Sequence, residues 1–145
     1  MSWELLGAFI AAHPLLSLSF VALSAALLGS LLAPLWRGWK EIAPAAAVQL
    51  INRAEAVVID LSPPGDFEKG HILGARNLLP SQLDPAGKEL AKLADRPVIL
   101  VCRTGLSAAQ AARRLTRAGF RKVHVLAGGI QGWLQAELPL VRGRR

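Results

Sequence analysis

The sequence predicts an α/β domain built on a parallel β-sheet and preceded by one N-terminal transmembrane helix. Three observations predict this fold class. The chain has 145 residues, enough for one ordinary domain with an attached segment. No Asp, Glu, Lys or Arg occurs from Leu5 to Trp36. Downstream of Trp36, short apolar runs alternate with helix-like stretches, which is typical of a parallel sheet.

The uncharged N-terminal stretch has the length of a membrane span. Pro14 interrupts it, because proline lacks a backbone N–H and disfavours helix in the residue before it. Residues 15–35 would form roughly 31 Å of helix, close to the thickness of the hydrocarbon core of a bilayer. Aromatic and basic residues follow this segment as interfacial anchors would: Trp36, Arg37, Trp39 and Lys40. We therefore assign residues 1–40 to an anchor that contacts membrane lipid through residues 15–35.

Two alternatives to a membrane anchor are weaker. A cleaved signal peptide begins with a positive region, whereas Glu4 is the charged residue here. A buried core helix is not needed, because the remaining chain already makes a complete domain.

The basic residues after the helix are Arg37, Lys40 and Arg53, and cytoplasmic flanks carry an excess of such residues. We expect a single-pass protein of the inner (plasma) membrane, with its N-terminus outside and its C-terminal domain in the cytoplasm.

The composition excludes several classes of protein. Cys102 is the single cysteine, so an internal disulfide is impossible, and with three scattered histidines it makes no structural zinc site. We expect no metal and no organic cofactor. All 17 Lys and Arg residues lie from Arg37 onward. The basic helix around Arg113 nevertheless lacks interleaved aromatic residues, so we expect no nucleic-acid partner.

The elements of the soluble domain follow one another in alternating order. In its first half we predict a helix over Ala45–Arg53, a strand over Ala56–Leu61, a turn over 62–65, and a brief helical turn leading into a loop or short strand within Asp66–Asn77. In its second half we predict a helix from about Pro85 to Ala94, a strand over Pro97–Cys102, a helix over Ser107–Ala118, a strand over Val123–Leu126 and a short helix through Trp133. Continuous apolar strands of this kind are typical of a buried parallel sheet.

Cys102 is the candidate nucleophile, because ligands of parallel sheets bind at the carboxyl ends of the strands. The helix after Cys102 presents free N–H groups and a partial positive charge to the loop, and Arg103 adds a full charge. Both effects favour thiolate over thiol. Gly105 lets the loop curl with its amides inward, which makes a concave anion site. The alternative is that Cys102 is a small buried hydrophobe at the end of a strand, and position alone leaves both open.

Four motifs in order resemble those of a rhodanese domain over about residues 44–140. They are Val58–Leu61 (VIDL), Asp66–Asn77 (DFEKGHILGARN), the Cys102–Gly105 loop, and Val125–Trp133 (VLAGGIQGW) followed by Leu138-Pro139. With its N-terminal helix, the chain is similar to membrane-anchored, one-domain bacterial rhodanese-like proteins. The resemblance implies a parallel sheet with helices on both faces over residues 41–140, and leaves residues 141–145 as a basic tail.

The resemblance also implies a function. A sulfurtransferase of this family would pass sulfane sulfur through a persulfide on Cys102, from thiosulfate or a persulfide donor to a thiol acceptor, here at the membrane surface. The substrate would bind to the remaining loop residues, Arg103, Thr104, Gly105, Leu106 and Ser107. In the Gly-His-Ile context we expect His71 to bond loop backbone. Trp133 should fill the core, and His124 should lie at the surface because it alternates with the core-facing Val123 and Val125.

The chain departs from the family pattern at two positions. Ser62 stands where many members carry Arg, which removes a structural ion pair. Ser107 stands where the loop often ends in Arg, which removes a cation that would hold thiosulfate. An interaction module recruited to a membrane-protein partner is therefore the alternative function. A cysteine-based phosphatase fits poorly, because the next Arg after Arg103 is Arg113, well inside the helix.

Overall fold

The structure is a computed structural model that describes residues 2–144. The chain divides into two compact units, the first ending at Trp36 and the second beginning at Arg37. The anchor predicted from the sequence extends further, to residue 40. In the structure Trp39 and Lys40 belong instead to the first strand of the second unit.

The first unit consists of two apolar helices, α1 (Trp3–Ala12) and α2 (Pro14–Trp36). The chain breaks between them at His13, as predicted from Pro14. Neither helix buries a residue. The hydroxyl groups of Ser17 and Ser19 donate hydrogen bonds to carbonyls one turn earlier, at 3.0 and 2.8 Å. With 23 residues and a mean hydropathy of 2.2, α2 is long and apolar enough to cross a membrane.

The second unit is built on a five-stranded parallel sheet of order β1-β5-β4-β2-β3. Its strands are β1 (Trp39–Ile42), β2 (Val57–Asp60), β3 (Arg76–Asn77), β4 (Val98–Val101) and β5 (Val123–Leu126). Its α-helices are α3 (Pro44–Ala54), α4 (Pro64–Lys69), α5 (Lys88–Ala91), α6 (Leu106–Arg117) and α7 (Gly129–Gln135), and a 3₁₀ helix covers Pro80–Gln82. The predicted α/β class and parallel sheet are confirmed.

Helices cover both faces of this sheet, as the resemblance implies. On one face, Leu100 of β4 packs in a core with Leu90 of α5 and Leu115 of α6. On the other face, Ile99 packs with Ala47 of α3 and Trp133 of α7. Alternate residues of β4 therefore enter opposite cores, which is why its sequence is apolar throughout. Trp133 fills the core as predicted, and its Nε1 donates to the carbonyl of Pro139 at 3.0 Å.

Strand β1 corrects the interpretation of Trp39 as an interfacial anchor. β1 pairs with β5, opposing Trp39 to Val123 and Ile42 to Leu126. The Trp39 side chain is only 6% exposed and lies in the core beneath α6. The guanidinium of Arg37 lies 5.5 Å from its ring centroid. Trp39 thus stabilises the second unit, because burying a side chain of this size removes a large apolar area from water.

Other elements differ from the prediction in extent. The predicted helix from Pro85 to Ala94 shrinks to the four residues of α5, because Asp84 first closes a turn by accepting hydrogen bonds from the amides of Ala86 and Gly87. The predicted turn over 62–65 ends early, since Pro64 already begins α4. Proline suits this first helical position because it has no N–H to leave unsatisfied.

The chain stays in contact with the domain beyond Leu140. His71 and Val141 exchange two backbone hydrogen bonds of 2.9 Å each. Further along, the amide of Gly143 donates to the carbonyl of Glu68, and Arg144 forms an ion pair with the Glu68 carboxylate. Within the segment predicted as a tail, residues 141–144 therefore lie against the segment that contains Glu68 and His71, and Arg145 lies outside the described residues.

Candidate active site

Cys102 lies directly after β4, at the carboxyl edge of the sheet. Its side chain is 6% exposed, and its Sγ accepts a hydrogen bond of 3.0 Å from the amide of Gly105. Gly105 adopts φ +100°, a left-handed conformation that turns the chain from the strand into α6. The sulfur therefore lies close to the amino end of a 12-residue helix.

The other predicted loop residues are brought together around Cys102 by the same turn. Arg103, Thr104, Leu106 and Ser107 are exposed, and Gly105 is half-buried. Leu106 is 72% exposed even though it is apolar. The loop thus places exposed side chains next to a nearly buried sulfur.

Helix α7 fixes the backbone of this loop from the side of β5. The amide of Ile130 donates to the carbonyl of Cys102 at 3.0 Å, and the amide of Gln131 to that of Arg103 at 3.4 Å. Gly129 permits this approach, because a Cβ there would overlap the Cys102 carbonyl oxygen. The Gly128-Gly129 pair belongs to the family motif recognised in the sequence, but its contact with the loop is visible only in the structure.

Asp66 is a residue of this region that the sequence analysis missed as a site residue. Its carboxylate accepts a hydrogen bond from the Arg103 guanidinium, with Nη2 and Oδ2 2.5 Å apart. Lys69 approaches the other carboxylate oxygen at 3.6 Å. A pocket of about 250 Å³ lies beside this pair, lined by Ser62, Asp66, Lys69, Gly70, Arg103, Ile130 and Leu140. The motif containing Asp66 was recognised, but nothing local in the sequence indicates its partner 37 residues away.

The histidines lie outside the Cys102 loop. His71 is fully buried and stacks on Phe67, with ring centroids 3.7 Å apart, while its Nδ1 lies 2.8 Å from the Phe67 carbonyl oxygen. This contact agrees with the expected structural role. His124, expected at the surface, is instead half-buried, and burial together with the nearby charge of Lys40 lowers its pKa below 6.5. No group of three or more potential metal-ligating His, Cys, Asp or Glu residues occurs within residues 2–144.

The turn after β2 is held by hydrogen bonds that involve Asp60, Ser62 and Asn77. Asp60 is buried, and its Oδ1 accepts a hydrogen bond of 2.9 Å from the amide of Ser62. Its Oδ2 has no hydrogen-bond partner in the described part of the chain. Asn77 donates to the carbonyls of both Asp60 and Ser62, at 3.1 and 2.8 Å. Asn77 thus joins β3 to the turn that follows β2.

The sheet order and the cysteine loop at its carboxyl edge define a domain of the rhodanese class. Comparison with known proteins agrees: residues 43–136 match the family described as Rhodanese-like domain, and the chain belongs to that family. The match excludes α1 and α2, so the class is assigned on the second unit alone.

Individual relatives cover different parts of the chain. The uncharacterized protein YibN of Escherichia coli (strain K12) is 44% identical over 137 residues, which cover 94% of this chain and 96% of the relative. The thiosulfate sulfurtransferase GlpE of Pseudoalteromonas translucida is 33% identical over 95 residues, which cover 66% of this chain and 89% of the relative. A rhodanese-related protein of Thermoplasma volcanium superposes with a TM-score of 0.62 and 25% identity, over 72% of this chain and 99% of its own.

Proposed function

We propose that this protein is a membrane-anchored sulfurtransferase in which Cys102 carries sulfane sulfur as a persulfide. Family membership and the similarity to GlpE support a function of the sulfurtransferase type. The observation that carries the proposal is the 3.0 Å hydrogen bond from the Gly105 amide to the Cys102 sulfur. A backbone donor at this distance stabilises negative charge on the Cys102 sulfur, which carries that charge as the attacking thiolate and again as the thiolate released in the acceptor step.

The reaction proceeds in two displacement steps. The Cys102 thiolate attacks the outer sulfur of thiosulfate, a sulfur–sulfur bond forms to Cys102, and the original sulfur–sulfur bond breaks with its electron pair leaving on sulfite. An acceptor thiolate then attacks the outer sulfur of the Cys102 persulfide and departs as a persulfide, which regenerates the Cys102 thiolate. Each step conserves charge, and neither needs an external oxidant or reductant.

The loop supplies the contacts for an anionic donor. Arg103 is held by Asp66 through one N–H group, and its side chain remains 66% exposed, so other guanidinium N–H groups stay available. The amides of Thr104 and Leu106 and the hydroxyl of Ser107 complete the donor set, while the Gly105 amide stays on the Cys102 sulfur. Only one full positive charge belongs to this loop, which predicts weak binding of thiosulfate, a dianion.

Intact mass spectrometry tests the persulfide directly. After treatment with thiosulfate, the wild-type chain should gain about 32 Da, the mass of one sulfur atom. Cys102→Ser should gain nothing. A matched control moves the thiol: Cys102→Ser combined with Ser81→Cys presents an exposed cysteine on the 3₁₀ helix and should remain unmodified. Equal labelling of the relocated thiol would show that the loop does not activate Cys102.

A charge placed in the loop tests donor binding. Ser107→Arg should lower KM for thiosulfate about two- to fivefold, the range expected for one exposed ion pair. Ser81→Arg adds the same charge elsewhere and should leave KM unchanged. If the wild type takes sulfur neither from thiosulfate nor from small persulfides, while Cys102→Ser keeps its cellular role, the alternative of an interaction module at a membrane-protein partner is correct.

The membrane part of the proposal assigns α2 to the inner membrane and the rhodanese domain to the cytoplasm. Its support is the length and hydropathy of α2 and the basic residues Arg37, Lys40 and Arg53 that follow it. A reporter that works only in the cytoplasm should be active when fused after Arg145. Activity there of a reporter that requires the periplasm would overturn the orientation.

A further inference from the structure

Four strands of the sheet begin at the same level. Trp39 opposes Val123, Val123 opposes Val98, and Val98 opposes Val57. In parallel α/β units the helices run back against the strands, so the residues that enter these strands gather at one edge of the sheet. We call this the amino edge and define it as residues 37–38, 53–56, 92–97 and 117–122. Cys102 lies at the opposite, carboxyl edge, about 13 Å further along the strand direction.

The two edges differ in charge. Two acidic residues, Glu55 and Asp95, lie on the amino edge. Its basic residues are exposed and more numerous: Arg37, Arg53, Lys92, Arg96, Arg117, Arg121 and Lys122. The connections that leave the same strands at the carboxyl edge, residues 43, 61–63, 102–105 and 127–128, contain a single charged residue, Arg103, and Asp66 pairs with it. The positive charge is therefore concentrated opposite the cysteine loop.

Most of this charge is not neutralised within the domain. Arg96 pairs with Glu55 at 4.0 Å and Lys92 with Glu89 at 3.2 Å. Within residues 2–144, the other five basic residues of the amino edge form no ion pair: Arg37, Arg53, Arg117, Arg121 and Lys122. Basic residues in the last turn of a helix complement its dipole, which explains Arg53 and Arg117. The dipole does not explain Arg121 and Lys122, which lie in the connection before β5.

The short connection from α2 to β1 indicates which surface the basic residues of the amino edge would face. Only Arg37 and Gly38 separate α2 from β1, and two residues of extended chain span about 7 Å. If α2 spans the bilayer, as proposed above, the start of β1 is held near the headgroups. We propose that the amino edge binds the headgroups of anionic lipids and so keeps the Cys102 loop on the side of the domain away from the membrane. Basic residues next to a membrane span are attracted to anionic lipids in this way.

Fluorescence quenching in nanodiscs tests the proposal on the full-length chain. In a Cys102→Ser background, Ala118→Cys places a fluorescent probe on the amino edge and Ala43→Cys places one on the carboxyl edge; both alanines are exposed. Lipids with a nitroxide on the headgroup should quench the probe at residue 118 strongly in phosphatidylglycerol discs and weakly in phosphatidylcholine discs. High salt should reduce this quenching, and the probe at residue 43 should stay bright in both.

Charge-neutralising variants distinguish lipid binding by the amino edge from an effect of the net charge of the protein. Arg117→Gln, Arg121→Gln and Lys122→Gln together should shift the docking equilibrium about a hundredfold, because each cation near an anionic surface contributes roughly a fivefold factor. The matched control replaces three exposed cations elsewhere, Arg76→Gln, Lys88→Gln and Arg142→Gln, and should keep the quenching.

Several outcomes would overturn the proposal. They are equal quenching in the two lipids, equal quenching at residues 43 and 118, and an equal loss in the control variant. Unchanged quenching in the edge variant combined with loss of oligonucleotide binding would assign the amino edge to nucleic acid instead. Carbonate extraction of membranes tests the anchor separately. If carbonate releases the chain from the membrane, α2 does not span it. The quenching at residue 118 still decides whether the amino edge binds anionic lipid.

Discussion

Gly129→Ala should disturb the backbone of the Cys102 loop, although Gly129 lies 27 residues after Cys102 and no loop residue is changed. Gly129 has φ +57°, and a Cβ there would lie 2.7 Å from both the carbonyl carbon and the oxygen of Arg103, besides overlapping the Cys102 oxygen. These are backbone atoms, so the clash can be relieved only by moving the loop or α7. Either movement stretches the hydrogen bond from Ile130 to Cys102.

The expected cost has three parts. A non-glycine residue in the left-handed region costs about 1–2 kcal/mol. Overpacking against a fixed neighbour adds typically about 1–3 kcal/mol. A weakened backbone hydrogen bond adds about 1 kcal/mol. We therefore expect Gly129→Ala to lower the free energy of unfolding by about 3–6 kcal/mol, a large part of the stability of an ordinary domain.

Gly119→Ala is the matched control for this variant. Gly119 also has a positive φ, +98°, but no heavy atom lies within 4 Å of its Cβ position. Only the conformational cost of about 1–2 kcal/mol applies to it. Urea unfolding of residues 37–145 measures both variants. The contact between α7 and the loop would be refuted if Gly129→Ala cost no more than Gly119→Ala, or if it left the rate of sulfur loading onto Cys102 unchanged.

Two further predictions concern β1 and β5. A fragment of residues 37–145 should be soluble and fold. The shorter fragment 41–145 should have a free energy of unfolding lower by at least about 3–5 kcal/mol, because it lacks the buried Trp39. Equal urea midpoints for the two fragments would contradict the role of β1. The second prediction is a pH dependence. Burial and, to a smaller extent, the charge of Lys40 lower the pKa of His124 in the folded state, so the unfolded state binds more protons. The stability that the neutral His124 side chain contributes is therefore present above pH 6.5 and is lost as the pH falls below that value. His124→Asn should therefore reduce the loss of stability between pH 7.5 and 5.5, and an identical pH profile in the variant would refute this.

The sequence predicted the central strands well because their pattern is simple. β2 and β4 are buried at every residue, and apart from Asp60 at the end of β2 their sequences are continuous apolar runs that need no tertiary information to interpret. β5 begins and ends at the predicted residues. Cys102 was found for the same reason, since it follows such a run and precedes a clear helix.

β1 was missed because two signals overlap at residues 39–42. Trp39 and Lys40 follow an apolar helix, and an aromatic residue beside a cation there is also typical of a membrane interface. β1 lies at the edge of the sheet, with one buried, one half-buried and two exposed residues, so it has no apolar run. Its partner β5 is more than 80 residues away, and only tertiary structure brings the two together.

The contacts around Cys102 were missed for a related reason. The pairing of Arg103 with Asp66 and the approach of Gly129 to the loop join segments that are distant in sequence. Motif recognition placed all three residues in the family pattern, yet a motif gives positions and no distances. The predicted roles of the loop residues stay predictions until sulfur transfer is measured.

The sheet order has a consequence for biosynthesis. β1 is the first strand to leave the ribosome, but its one neighbour, β5, is the last. At about 5–20 residues per second, Trp39 waits roughly 4–17 s before Val123 is synthesised. Through that interval the Trp39 indole lacks its partner strand and follows directly after the apolar helix α2. Folding of the domain therefore ends only after translation is nearly complete, and closing so long a loop makes this last pairing slow.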